Sequence, residues 1–168
     1  MKKITMARIS AACLVCSMIA ISAAEAADTA SVTATVTLQN ISLTVTSGTV
    51  AYGIIAAGQS AGTNSTSQTQ TVTNNGNVSE DFNIKGINST NWTLGATAGT
   101  DTYSHKFCST SCANAPTGYT ALTTSDQTLS AGIAPSGTKS LDLYLTVPTS
   151  SSYFTEQSVN VTVTAIAS

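Results

Sequence analysis

Apolar and polar residues alternate one for one along much of this chain. Val32, Ala34, Val36 and Leu38 are interleaved with Ser31, Thr33, Thr35 and Thr37, the period of a strand with one dry face and one wet face. Ile41, Leu43 and Val45 resume the pattern in the opposite phase, which places a bulge, bend or break at Gln39-Asn40. The same period recurs at Val50/Tyr52, Phe82/Ile84, Trp92/Leu94/Ala96, Leu141/Leu143/Leu145/Val147 and Val159/Val161/Val163. Turn chemistry separates these runs. Ser47-Gly48, Ala98-Gly99-Thr100-Asp101, Pro116-Thr117-Gly118 and Pro135-Ser136-Gly137 read as turns or loops, and Asn74-Asn75-Gly76-Asn77 carries an Asn-Gly hairpin signal. The pattern predicts an all-β chain of about seven to ten short antiparallel strands, folded as a sandwich or barrel. Its interior would hold Val, Leu and Ile with Trp92, Phe82, Phe107 and some tyrosines, and its wet faces are mostly threonine, a β-branched residue at home in a strand.

The first 26 residues follow a different rule. Lys2, Lys3 and Arg8 precede an apolar stretch from Ile9 to about Ile21, and Ala24-Glu25-Ala26 supplies a small-x-small cleavage pattern before Ala27. Residues 1–26 are thus expected to be a Sec-type signal peptide, and 27–168 one exported domain with no transmembrane anchor of its own. Cys13 and Cys16 sit inside the apolar stretch without a lipobox and leave with it. After the cut, three lysines face seven carboxylates, a net charge of −4. Such a chain has no basic field for nucleic acid or anionic lipid. A third of it is Ser or Thr, so hydroxyls rather than ions keep it in solution.

Candidate chemistry is sparse. Cys108 and Cys112 lie four apart in a chain read as exported, where a short disulfide clip is the expected pairing. His105 precedes them as His-x-x-Cys-x-x-x-Cys, a spacing that offers three ligands to a metal where a structural site takes four. No Gly-x-Ser-x-Gly elbow occurs. Glu80-Asp81, being adjacent on a strand, point to opposite faces and cannot share a proton or a sugar, so they read as a solvated start to that strand. No catalytic residue, metal site or cofactor is assigned. Tyr103, Tyr119 and Tyr153 are candidate glycan contacts, and Trp92, in phase with Leu94 and Ala96, is expected in the core.

Val50-Ala51-Tyr52-Gly53-Ile54-Ile55-Ala56-Ala57-Gly58, followed by Thr71-Val72-Thr73-Asn74-Asn75-Gly76-Asn77-Val78, resembles the Ig-like modules of WxL-type, TasA/camelysin-type and Hydin-type proteins. Trp92-Thr93-Leu94 is similar to the first Trp-x-Leu of WxL domains, whereas Ser158-Val159-Asn160-Val161-Thr162-Val163 stands where the second would be. No camelysin metal signature is present, so the resemblance implies no peptidase activity. The Tyr-Gly element and final valine strand also resemble secreted pilins of the spore-coat-U type, whose cysteine spacing differs. The resemblance implies a single Ig-like antiparallel β-sandwich at a bacterial surface.

The resulting expectation is a secreted, non-enzymatic structural or adhesive protein of a bacterial surface or extracellular matrix, with the periplasm also open. Its partners would be envelope or matrix components or a second copy of itself. Asp28 to Leu38 form an N-terminal strand that either pairs within its own domain or, in the latter case, leaves it so that Val32, Ala34, Val36 and Leu38 fill a neighbour's pockets. The alternatives are a module binding glycan or cell-wall polymer, and a pilin-like subunit.

Overall fold

The computed structural model describes residues 28–168; the expected cleavage site at Ala24, Ala26 and Ala27 lies outside them. Two units divide the chain, Met1–Val36 and Thr37–Ser168. The second is all-β, a sandwich of two sheets.

Ten strands build it: β1 (Leu43–Val45), β2 (Ser60–Gly62), β3 (Gln70–Asn74), β4 (Glu80–Gly86), β5 (Thr93–Leu94), β6 (Thr102–Cys108), β7 (Thr120–Ala121), β8 (Gln127–Ile133), β9 (Thr138–Thr146) and β10 (Val161–Ala167). The larger sheet runs β1-β3-β9-β6-β5, with β2 on the same side of β9 as β3, and β7 beside β6. The smaller sheet runs β10-β4-β8. All pairings are antiparallel except β5 with β6.

In β3, β4 and β9 the apolar period-two residues fall where their phase predicts. Phe82 and Ile84 of β4 face inwards with no exposed surface, opposite Val72 of β3 and Leu141 and Leu143 of β9. Each such side chain stabilises the fold by about 1.5–3 kcal/mol relative to exposure. Tyr103 of β6 begins a second cluster with Leu145 and Val147, against which Trp92 and Tyr52 pack. Trp92 Nε1 donates to Ser151 Oγ at 3.1 Å, so its polar end is satisfied at the rim. Val50/Tyr52 stays outside any strand, yet both side chains pack on the core.

Asn74-Asn75-Gly76 does not make the expected hairpin. It carries the chain from β3 in one sheet to β4 in the other. The cause is Asn74 itself, fully buried, whose Nδ2 donates to Val78 O at 2.8 Å and Ile133 O at 2.7 Å while Oδ1 accepts the Gly76 amide at 2.7 Å. Its backbone N–H donates to Gly137 O, and its carbonyl accepts Ser136 N. One residue therefore ties the β3–β4 crossing to the β8–β9 crossing. A Cβ at Gly76 would collide with Glu80 Oε1 and the Asn40 carbonyl oxygen, so this turn needs glycine for room rather than for a left-handed backbone.

Candidate functional site

The segment from Asp28 to Leu38, expected as a strand, forms none. Val32, Val36 and Leu38 are 93%, 96% and 88% exposed, and Ala34 is exposed as well. A strand needs a ladder partner, because in its absence water serves the backbone equally well. No strand of the described fold pairs with these residues.

The point where the compact unit begins is firmly tied. Asn77 Nδ2 donates to Leu38 O at 2.8 Å, and Asn77 Oδ1 accepts the Asn40 amide at 2.8 Å. The Ser42 amide then donates to Glu80 Oε1 at 2.9 Å. Glu80 departs from its expected solvated position: it has no exposed surface, and its Oε2 has no partner among the described residues. Its phase with Phe82 and Ile84 was the available signal, since all three share the inward face of β4. Asp81 points outwards as expected. There the Ser168 hydroxyl and the Gly132 amide, each at 2.7 Å, hold its carboxyl below the usual carboxylate range.

Cys108 and Cys112 are joined in the expected disulfide, with Cα atoms 5.7 Å apart. Cys108 ends β6, and Cys112 opens a single 3-10 turn, Cys112–Asn114. So short a loop contributes about 2 kcal/mol or less, so the clip shapes the loop more than it holds the fold. Cys112 O accepts Asn64 Nδ2 and the Tyr119 hydroxyl, each at 3.1 Å. Beside it lies an open groove of about 450 Å³, lined by Gly62, Asn64, Ser65, Asn114 and Tyr144 among others. Tyr119 stands edge-on to Tyr144 at 5.9 Å.

The three tyrosines considered for glycan contact do not form one platform. Tyr119 is half-buried against Tyr144, and Tyr153 is 45% exposed beside the 93% exposed Phe154. Tyr103 has no exposed surface and is withdrawn as a contact; its hydroxyl donates to the Ile87 carbonyl, and burial pushes its pKa up to about 12. On β6 Tyr103 shares its phase with buried His105 and Phe107, and Ser104 beside it is buried as well.

His105 is separated from any metal chemistry with the cysteines, since both sulfurs are bonded to each other. It is 2% exposed, with Nε2 2.9 Å from the Tyr52 hydroxyl and Nδ1 without a partner among the described residues. Burial pulls its pKa down to about 4 and raises that of Tyr52, so both are neutral at pH 7. Among the described residues no three of His, Cys, Asp and Glu are grouped to hold a metal ion, and no helix is long and apolar enough to cross a membrane.

Comparison with protein-family models, curated proteins and solved structures finds no match to this chain. What can be argued about its role therefore rests on its own residues.

Proposed function

We propose that this chain is an exported, non-enzymatic structural or adhesive subunit of a bacterial surface or extracellular matrix that assembles through strand edges, in the manner of a pilin-like building block. The observation that carries the reading is the uncovered segment before β1. Val32, Ala34, Val36 and Leu38 have the alternation of a half-buried strand and, among the described residues, no sheet to be buried in. Exposed apolar residues in register are a liability in a monomer and a binding device in an assembly. Added to a neighbour's sheet, the backbone supplies affinity and the alternate side chains supply specificity.

Sedimentation velocity over a range of concentrations, with negative-stain microscopy of the same samples, tests this reading. Fast-sedimenting species that appear as regular fibres are expected. A monomer at every concentration overturns it.

The groove beside the disulfide favours a second reading, a module binding glycan or cell-wall polymer. Tyr144, held edge-on by Tyr119, offers an aromatic wall, and Asn64, Ser65 and Asn114 offer donors and acceptors. Retention on insoluble wall or matrix polysaccharide, lost in Tyr119→Ala and Tyr144→Ala, is the expected result for that reading. Equal retention of the variants removes the groove from it.

A further inference from the structure

The edges of the two sheets are guarded very unequally. Proteins protect a free edge by keeping it short, bulging it, or placing charge or proline on it. In the larger sheet β1 and β2 have three residues each, and β5 and β7 have two. In the smaller sheet β8 is seven residues long, but its register against β4 shifts between Glu80 and Phe82 and again between Phe82 and Asn83. A left-handed Gly132 bends β8 further. On the other flank, β10 has none of these protections. Val161-Thr162-Val163-Thr164-Ala165-Ile166-Ala167 pairs with β4 residue for residue, without a shift, and carries no charge, proline or glycine. Its outer side pairs with no strand among the described residues.

The core beneath that edge is also incompletely covered. Val72, Phe82 and Ile84 have no exposed surface, whereas Val161, Val163 and Ala165 of β10 are only partly buried against the same cluster. So are Leu43 and Val45 of β1, the edge strand of the facing sheet. Outward of them, Ile166 is 50% exposed.

We propose that the outer edge of β10 receives residues 31–38 of a second copy of this chain as an added antiparallel strand, seating Val32, Ala34, Val36 and Leu38 beside Val161, Val163 and Ala165. This rests on the assembly reading above and names the surface it uses. Eight residues of donor match seven of acceptor in length. Neither opposes the other electrostatically, because no charged side chain lies between Asp28 and Glu80 or after Glu156.

Orientation selects a second copy over the same chain. Leu38 and Asn40 are tied to Asn77, and Ser168 N donates to Ser79 O. The donor's root and the C-terminal end of β10 therefore lie at the same end of the smaller sheet. A chain laying its own segment along β10 would run parallel to it. The antiparallel ladder, the more stable per residue, is open only to another copy. Each copy then offers one donor and one acceptor, a head-to-tail contact that propagates into a filament unless the rotation closes a ring.

Cysteine cross-linking tests the assignment. Monomers of Thr33→Cys, Thr35→Cys or Thr37→Cys are mixed with monomers of Thr162→Cys, Thr164→Cys or Ile166→Cys and oxidised, the Cys108–Cys112 pair being left intact. Mixed cross-linked dimers are expected. The donor position should move towards the C-terminus as the favoured β10 position moves towards the N-terminus. Thr128→Cys on β8 and Thr44→Cys on β1 serve as rival acceptors. Cross-linking at either of these in place of β10, a parallel sense, or a link within one doubly substituted chain at high dilution overturns the proposal. So does the absence of any link in folded protein. Sedimentation of the same samples separates the two levels: polymers without a β10 link sink this surface alone, and the absence of polymers sinks the assembly reading with it.

Discussion

Leu141, Leu143, Leu145 and Val147 alternate with polar residues just as Val32, Ala34, Val36 and Leu38 do, yet the first four are 2%, 6%, 4% and 8% exposed while three of the second are near 90%. The difference lies in their neighbours. β9 has β3 and β2 on one side, β6 on the other, and the smaller sheet across its inner face. Residues 31–38 have no partner strand in the described fold. Alternation thus states that a segment is able to form a half-buried strand. Whether it does so depends on which edge is free to receive it.

The largest expected effect comes from the sealed side of this comparison. Leu143→Ala removes a side chain locked between the sheets and should cost about 2–5 kcal/mol in urea unfolding. A loss no greater than that of a surface substitution would mean that β9 is not the centre of the core.

His105, close to Leu145 in the same sealed region, should make stability depend on pH. Unfolded, its imidazole takes a proton below about 6.5; folded, burial holds it neutral down to about 4. Between these values the unfolded state binds more protons, so stability rises with pH and is lost as pH falls from 6.5 towards 4, by about 3 kcal/mol in full. Denaturation midpoints at pH 7 and pH 4 should separate in the wild type and converge in His105→Gln. A midpoint as pH-dependent in the variant would assign the effect elsewhere.

Asn74→Ala sharpens the boundary between the two regions. It leaves Val78 O, Ile133 O and Gly76 N without their partner and should cost about 2–3 kcal/mol by the same unfolding measurement. A near-neutral result would show that the crossings hold without it.

The smallest expected effect on stability is at Val36. In monomer, Val36→Asp should change unfolding by no more than about 0.5 kcal/mol, as at other exposed sites, while fibres disappear from the sedimentation profile. Destabilisation comparable to Leu143→Ala would place this segment in its own sheet and break the comparison.

Much of the sandwich was legible in the chain because a strand buried on one face carries that face in its own residues: Phe82/Ile84 and Leu141/Leu143/Leu145 needed no neighbour to be read. The disulfide was legible for a similar reason, as two cysteines four apart have little choice of partner. Glu80 departs from the solvated strand start expected of it because its phase with Phe82 turns it inwards, where the Ser42 amide meets its carboxylate. Tyr103 is misplaced as a loop contact because no clean alternation marks a strand over Thr102–Cys108; once β6 forms, its phase with Phe107 turns it inwards.

What the sequence by itself determined was the set of strand-forming segments, the punctuation between them and the cysteine pair, all properties of a few adjacent residues. Only the tertiary structure decided that Asn74-Asn75-Gly76 crosses between sheets and that His105 is sealed against Tyr52. It alone left residues 31–38 and the outer edge of β10 without a partner strand among the described residues. Those outcomes are contests between segments far apart in the chain for a limited number of sheet edges, and each segment's own pattern is the same whether it wins a place or not.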